Sequence, residues 1–277
     1  MSAVLVTGAG SGIGAATALR LDRLGMRVFA AVHDTHDGEI LAKGASASLS
    51  VHQYDATDQA SVRDLVGAVD TALGTEGLTA VVNVAGAGVA GPLELLAIDD
   101  LRHQLDVDVV GPVAVTQLAL PLLRRAEGGR VVFVGAAGSL VSMQLAGAYH
   151  ASKYAVEAIS DAWRQELAAE GISVCLVEPG PVATPLWSKA LQTLDRLPAS
   201  DRYADRVAAV RESLHKASKN GESPHKVAEQ IEHAVTAARP KSRYPVGAAA
   251  HVVPRIRRLL PDRLFDRAAQ RIAAARS

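Results

Sequence analysis

The sequence has few cysteines, no net charge and no long apolar run, and each of these absences argues against a class of protein. Its single cysteine, Cys175, cannot form a disulfide within the chain and lies in an apolar run typical of a buried strand. Lysine and arginine number 29, as do aspartate and glutamate, so no net charge attracts nucleic acid or an anionic membrane. No uninterrupted apolar stretch reaches the roughly 18 residues of a membrane span, and the N-terminal run is too short for a signal peptide. We therefore expect a cytoplasmic protein that binds no nucleic acid and has no membrane span.

The composition that remains is that of an ordinary globular protein. With 277 residues, of which 49% are hydrophobic, the chain can bury one large core, and no internal repeat or low-complexity linker divides it. We predict one domain over residues 1–250, which includes helices at 186–240, and a basic helical extension over residues 251–277. That extension either closes the domain or lies on a membrane or a partner.

Short apolar runs alternate with segments of helical periodicity. The predicted strands cover residues 3–7, 28–32, 49–54, 79–84, 130–134, 173–177 and 243–246. Asp58 is expected to cap a helix, a long helix begins at Asp99 or Asp100 with a kink at Pro112, and a later helix carries Tyr149. The alternation predicts an α/β fold with a doubly wound parallel sheet, which binds ligands at the carboxyl ends of its strands.

A glycine-rich turn joins the first predicted strand to the first helix. Residues 8–14 read Gly-Ala-Gly-Ser-Gly-Ile-Gly, with the spacing GxxxGxG. Glycines let the backbone turn tightly and approach a pyrophosphate, to which the N-terminus of the following helix offers free N–H groups. The alternative is a turn with a structural role alone.

Tyr149 and Lys153 lie four residues apart and therefore on one face of the predicted helix. A nearby ammonium group favours the phenolate, so we expect the pKa of Tyr149 to fall from its usual value of about 10. Such a tyrosine can give or take a proton near neutral pH. The alternative is a tyrosine and a lysine on the surface of an amphipathic helix.

Taken together, these motifs resemble those of the short-chain dehydrogenase/reductase family. The resemblance covers residues 3 to about 185 and rests on four motifs in the family's order: the glycine-rich turn with Thr7, residues 83–86 (Asn-Val-Ala-Gly), Tyr149 with Lys153, and Pro179-Gly180 with Thr184. Residues 244–247 and 261–266 look like the branch that contains 17β-hydroxysteroid and retinol dehydrogenases.

The resemblance implies a Rossmann fold, a nicotinamide cofactor, and hydride transfer between a carbinol and a carbonyl. Tyr149 would give or take the proton, and Lys153 would lower its pKa and bind the nicotinamide ribose. The other cofactor-binding residues implied are Gly8, Ser11, Gly12, Ile13, Gly14, His33, Asp34, Asp55, Ala56, Asn83, Ala85, Gly86, Pro179, Gly180, Val182 and Thr184. A homodimer or homotetramer is also implied, and no metal.

This chain differs from the family pattern at the catalytic position whose side chain polarises the substrate oxygen. Family members usually carry a serine thirteen residues before the tyrosine, where this chain has Ala136. Loss of one such hydrogen-bond donor typically costs on the order of 10²–10³ in turnover. Ser139 or Ser142 is a possible substitute if the loop rearranges.

A second catalytic position departs on the long helix, where Asp108 replaces the usual asparagine. An ionised Asp108 would partly neutralise Lys153 and weaken its effect on Tyr149. Three hypotheses therefore stay open: a dehydrogenase or reductase, a non-redox enzyme such as a dehydratase, cyclase or isomerase, and a nucleotide-binding regulatory protein.

The cofactor and the substrate are only partly indicated. The charge of Asp34 disfavours a 2′-phosphate, so NAD is favoured over NADP. The residues predicted to line the substrate pocket are mostly apolar, which favours a small lipophilic substrate. They are Val89, Leu140, Met143, Leu145, Leu186 and Trp187, together with Ala90 and Leu191.

Overall fold

A parallel sheet of seven strands forms the centre of the protein. The structure, a computed structural model, describes residues 2–137, Ser139 and residues 141–267. The strand order is β3-β2-β1-β4-β5-β6-β7, and every pairing is parallel. The strands are β1 (Ala3–Thr7), β2 (Arg27–Val32), β3 (Leu49–Gln53), β4 (Ala80–Asn83), β5 (Arg130–Val134), β6 (Ser173–Pro179) and β7 (Arg243–Val246). The predicted doubly wound fold is confirmed.

Helices cover both faces of this sheet and its carboxyl edge. They are α1 (Gly12–Arg23), α2 (Thr35–Lys43), α3 (Gln59–Leu73), α4 (Ile98–Leu105), α5 (Gly111–Arg124), α6 (Gly147–Glu166), α7 (Leu186–Asp195), α8 (Ala204–Asn220), α9 (Pro224–Thr236) and α10 (Ala248–Leu259). One core cluster packs α3, α5 and α6 on the sheet, and the other packs α1, α2 and α9 on the opposite face. Apolar residues of α7 and α8 pack together beyond the strand ends.

The predicted strands match the observed ones to within two residues at each end. Asp58 caps α3 as expected, because its carboxylate accepts a hydrogen bond from the N–H of Ala60 at 2.8 Å. The short helix α2 was not predicted, and its sequence is polar. Helix α10 begins at Ala248, and residues 268–277 of the predicted extension lie outside the described residues. The proposed boundary near residue 250 stays a prediction.

The long helix is interrupted at a different place from the one predicted. A π-helical turn, Asp106–Val110, separates α4 from α5, and Pro112 follows it in the first turn of α5. Proline lacks the N–H that a regular helix would use there, so an irregular turn before it is expected. Within the 27-residue run Ile98–Arg124, an 18-residue window with a mean hydropathy of 1.4 could cross a membrane by length and composition alone. Half of it is buried, as in the core helix of a globular protein.

A partly buried charge cluster joins α6 to β6 and β7. The guanidinium of Arg243 contacts the carboxylates of Glu157, Asp161 and Glu178. Burial and the charge of Glu157 raise the pKa of Glu178 to about 7, against the attraction of Arg243. Three carboxylates and one guanidinium therefore meet, and one carboxyl keeps its proton close to neutral pH.

We expect Glu178→Gln to remove part of the pH dependence of stability. The folded protein holds a proton on Glu178 up to about pH 7, whereas the unfolded chain loses it near 4.5. The free energy of unfolding therefore falls as the pH rises between these values, by on the order of 1–3 kcal/mol. Urea denaturation below and above this range should show that the free energy of unfolding of the variant, relative to that of the wild type, is larger at high pH than at low pH. Glu166→Gln, at the exposed end of α6, is the control; equal shifts in both variants would contradict the prediction.

Candidate active site

The glycine-rich turn brings β1, β4 and the start of α1 into close contact. A Cβ on Gly8 would lie 2.7 Å from the backbone of Ala85, and one on Gly14 would lie 2.0 Å from the carbonyl oxygen of Gly8. Only glycine fits these two positions. Ser11 precedes α1 without capping it through its side chain, so the first N–H groups of the helix are open to a ligand. These residues fit a pyrophosphate, as the sequence predicts.

The other predicted cofactor residues lie at the same edge of the sheet. Each group lies at or just after the end of one strand. Asn83 and Pro179 are the last residues of β4 and β6. The others come after a strand: His33 and Asp34 after β2, Asp55 and Ala56 after β3, Ala85 and Gly86 after β4, and Gly180 after β6. Thr184 reaches the turn from the opposite side, because its Cγ2 would lie 2.8 Å from a Cβ on Gly12. The carboxylate of Asp55 is held by the N–H and hydroxyl of Thr57, both at 2.8 Å.

Tyr149 and Lys153 share the buried face of α6, as predicted. The Nζ atom of Lys153 lies 5.7 Å from the centre of the Tyr149 ring and donates a hydrogen bond to the carbonyl of Val134 at 3.3 Å. Val134 is the last residue of β5, so the lysine reaches the carboxyl edge of the sheet. A phenol and an ammonium group therefore lie together beside the predicted cofactor site.

Asp108 forms a buried ion pair with Lys153. Its Oδ2 atom lies 3.1 Å from the Nζ atom, and both side chains are at most 9% exposed. The same carboxylate accepts hydrogen bonds from the hydroxyl of Ser152 at 2.8 Å and from the N–H of Ala87 at 2.7 Å. The π-helical turn places Asp108 at this junction of α6 and the segment after β4.

Gln104 completes this network, and the sequence analysis did not identify it. Its amide nitrogen donates to the carbonyl of Ala87 at 3.0 Å, and its amide oxygen accepts from the N–H of Val89 at 2.9 Å. The amide nitrogen also lies 3.4 Å from the hydroxyl of Ser152. The only signal in the sequence is a glutamine four residues before Asp108, and its complete burial is shown by the structure.

The pKa of Tyr149 differs from the sequence-based expectation. Burial raises it, the charge of Lys153 lowers it, and the charge of Asp108 raises it, with a raised pKa as the result. For Lys153, burial lowers the pKa, but Asp108 and Tyr149 raise it overall. The expected effect of Lys153 is therefore present, and the expectation of a net fall was wrong because burial and Asp108 outweigh it in the protein alone.

The loop after β5 offers no direct replacement for the family's serine. Ala136 is buried, and Ser139 is turned back onto it: the Ser139 hydroxyl donates to the carbonyl of Ala136 at 2.6 Å and accepts from its N–H at 2.9 Å. Ser142 is exposed. For Ser139 to hydrogen-bond a substrate, this turn would have to open.

The predicted substrate residues occupy different environments. Val89 and Ala90 are buried, Met143 is exposed, and Leu191 of α7 packs against the cluster that contains Ala90. Leu186 packs on the segment after β4, since its carbonyl oxygen would lie 2.8 Å from a Cβ on Gly88, and the indole N–H of Trp187 donates to the carbonyl of Val182 at 2.6 Å. Leu140 lies outside the described residues.

Leu145 stands out among these because its φ is +63°. The left-handed conformation costs a leucine about 1–2 kcal/mol. The carbonyl of Leu145 accepts a hydrogen bond from the N–H of Gly91 at 2.7 Å, and the side chain is buried. The strained residue therefore joins the loop before Tyr149 to the loop after β4.

A family model described as short chain dehydrogenase matches residues 2–195 of this chain. The chain belongs to the short-chain dehydrogenase/reductase family. The family predicted from the four motifs is thus confirmed.

Two relatives of this short-chain dehydrogenase/reductase match nearly its whole length. The NADPH-dependent 3-dehydrocapnine reductase of Ornithobacterium rhinotracheale is 32% identical over 96% of this chain and 95% of that protein. Retinol dehydrogenase 5 of Mus musculus is 34% identical over 95% of this chain and 86% of that protein. Retinol dehydrogenases are therefore among its relatives, as residues 244–247 and 261–266 suggested.

Two solved structures share the fold over most of the chain. A short-chain dehydrogenase from Streptomyces avermitilis aligns with a TM-score of 0.80 at 25% identity and covers 100% of this chain and 99% of that one. Actinorhodin polyketide ketoreductase with NADPH aligns with a TM-score of 0.71 at 27% identity, over 88% of this chain and 94% of that one. This protein therefore belongs to a family of oxidoreductases whose members include structures that bind a nicotinamide cofactor.

Proposed function

We propose that this enzyme interconverts a carbinol and a carbonyl on a lipophilic substrate, with Tyr149 as the group that gives or takes the proton. The observation that carries the proposal is the buried contact of Tyr149 with Lys153 at the carboxyl edge of the sheet, beside a glycine-rich turn that fits a pyrophosphate. Apolar residues near this edge, including Val89, Leu145 and Leu186, support a lipophilic substrate.

In the proposed reaction, Tyr149, Lys153 and Asp108 each have a different role. A bound nicotinamide supplies or accepts the hydride. In reduction, the Tyr149 hydroxyl donates its proton to the substrate oxygen; in oxidation, its phenolate takes the proton from the carbinol. Lys153 stabilises the phenolate, and Asp108 holds Lys153 in place through the ion pair at 3.1 Å. Asp108 is thus a positioning residue that also opposes phenolate formation.

Turnover of a panel of lipophilic alcohols and ketones tests the proposal. Absorbance of the nicotinamide at its reduced-form band should change with at least one substrate and with NAD or NADP. A complete panel without turnover, in a protein that binds nucleotide, would contradict it.

Asp108→Asn should move the pH profile of carbinol oxidation to lower pH. The substitution removes the negative charge that raises the pKa of Tyr149, so phenolate forms at lower pH. An asparagine oxygen can still accept the hydrogen bond from the N–H of Ala87, and its NH2 group can donate to the Ser152 hydroxyl, which can itself donate to the carbonyl of Tyr149. We expect oxidation at neutral pH to rise several-fold, measured as kcat against pH. Asp106→Asn in the same π-helical turn is the matched control and should leave the profile in place; an unmoved profile in Asp108→Asn would contradict the assignment.

A non-redox acid–base reaction is the second candidate, and one observation favours it. Ala136 and the turn-bound Ser139 leave the substrate oxygen without the family's hydroxyl donor, while Asp108 adds a buried carboxylate to the site. A dehydratase, cyclase or isomerase needs acid and base groups but no net hydride transfer. Product formed without any change in nicotinamide absorbance would establish this alternative.

We also propose that the enzyme forms a homodimer or homotetramer. Val110, Leu118 and Tyr154 leave apolar surface exposed on the α4–α5 run and on α6. Sedimentation of the purified protein tests this, and a monomer at micromolar concentration would contradict it.

A further inference from the structure

An acidic side chain lies directly against the glycine-rich turn. Asp37, in the first turn of α2, is half-buried. A Cβ on Gly10 would lie 2.9 Å from the Cβ of Asp37 and 3.2 Å from its Oδ2 atom. The carboxylate therefore packs on the backbone of Gly10, where no side chain could be accommodated.

This contact lies where β1 and β2 meet the turn. The N–H of Ala9 donates to the carbonyl of Ala31 at 3.0 Å, which joins the turn to the end of β2. In doubly wound nucleotide-binding sheets, an acidic residue about 20 residues beyond the glycines binds the 2′-hydroxyl of the adenosine ribose. Asp37 brings such a carboxylate to the turn from a helix, not from the strand end.

The other side chains at the end of β2 do not fill this role. Val32, the last residue of the strand, is apolar and buried. Asp34 uses its carboxylate to cap α2, because its Oδ1 accepts the N–H of His36 at 2.9 Å. The sequence-based preference for NAD rested on Asp34, whereas the structure puts Asp37 against the turn.

The segments around this point offer a phosphate no permanently charged cation. Residues 8–14 and 31–38 contain no lysine and no arginine. The basic groups in these segments are the imidazoles of His33 and His36, both exposed, and His36 lies 3.9 Å from the carboxylate of Glu39. A 2′-phosphate carries between one and two negative charges at neutral pH, so a carboxylate close to it repels it.

We propose that Asp37 is the specificity-determining residue by which this enzyme rejects a 2′-phosphate and accepts NAD in preference to NADP. This proposal rests on the use of a nicotinamide cofactor at the glycine-rich turn. It does not follow from relatedness, because the reductase that is 32% identical to this chain is named as NADPH-dependent. The alternative is that Asp37 only stabilises α2, as an acidic residue near the N-terminus of that helix. In that case its replacement would change the stability of the protein but not its preference between nucleotides.

Displacement of bound NADH by adenosine fragments tests the proposal without any turnover. NADH fluorescence is followed while 5′-AMP or 2′,5′-ADP, which differ only by the 2′-phosphate, is added to the full-length protein. We expect the wild type to bind 5′-AMP at least about tenfold more tightly than 2′,5′-ADP, and Asp37→Asn to reduce that ratio to about threefold or less. The ratio in the wild type should also shrink at high salt, because added ions screen a partly exposed charge.

Asp34→Asn is the matched control, since it removes one negative charge three residues away and keeps a capping side chain. It should leave most of the discrimination in place. A ratio unchanged in Asp37→Asn, or lowered equally in Asp34→Asn, overturns the role of Asp37. A wild type that binds both fragments equally overturns this inference alone, whereas one that binds neither NADH nor NADPH overturns the proposed function as well.

Discussion

Replacing Tyr149 by phenylalanine is expected to lower kcat by about 10²–10⁴, the contribution typical of general acid–base catalysis. The phenyl ring keeps the packing of α6 and its position beside Lys153, but it has no proton to give or take. The measurement is steady-state turnover on the best substrate of the panel, together with a fluorescence titration of NADH. Nucleotide affinity should change far less than kcat, because the glycine-rich turn stays intact.

Tyr154→Phe on the same helix is the matched control for this experiment. Tyr154 is 40% exposed and belongs to the outer face of α6, so loss of its hydroxyl should leave turnover within about twofold of the wild type. Retention of most activity in Tyr149→Phe would show that another group handles the proton, and Asp108 would then be the first to test.

The second large effect that we expect is an increase in kcat. Ala136→Ser should raise kcat by on the order of 10²–10³, since a hydrogen-bond donor aimed at the reacting oxygen is worth that much in turnover. The position is occupied by a small buried side chain, and the existing hydroxyl nearby is engaged in the turn between Ser139 and Ala136. The comparison is kcat of the two proteins on a lipophilic ketone at saturating nucleotide.

Ala137→Ser provides the control for Ala136→Ser, because it adds the same hydroxyl to the next buried alanine of the same loop. A rise in both variants would indicate a general loosening of the loop. No rise in Ala136→Ser, in a protein that still binds NADH, would mean that the missing hydroxyl does not limit the reaction and would favour the non-redox alternative.

The central strands of the sheet could be predicted from sequence because they are buried on both faces. A strand such as Ala3–Thr7 has five buried residues in succession, and such a run has few other interpretations when a glycine-rich turn and a helix follow. The spacing of Tyr149 and Lys153 was equally informative, since one turn of helix fixes the relation of two side chains. These features depend on local sequence alone.

The rest depended on contacts between distant segments. The sequence indicated that Asp108 would oppose Lys153, but the contact itself, 3.1 Å between two groups 45 residues apart along the chain, is shown only by the fold. Burial, which raises the pKa of Tyr149 most, is a property of the whole fold. The sequence does not point to Asp37, because α2 is short and polar and Asp34 is nearer to β2; that the Asp34 carboxylate caps α2 is a property of the folded structure.

The π-helical turn also has a mechanical consequence. It adds one residue to the run Ile98–Arg124, and one residue rotates an α-helix by about 100°. This rotation sets the phase between α5, which is fixed on the sheet, and α4, whose Gln104 holds the backbone of Ala87 and Val89. Deletion of one residue from the turn would point Gln104 away from that backbone. The position of the segment that contains Ala87 and Val89 therefore depends on the number of residues in the π-helical turn as well as on the side chain of Gln104.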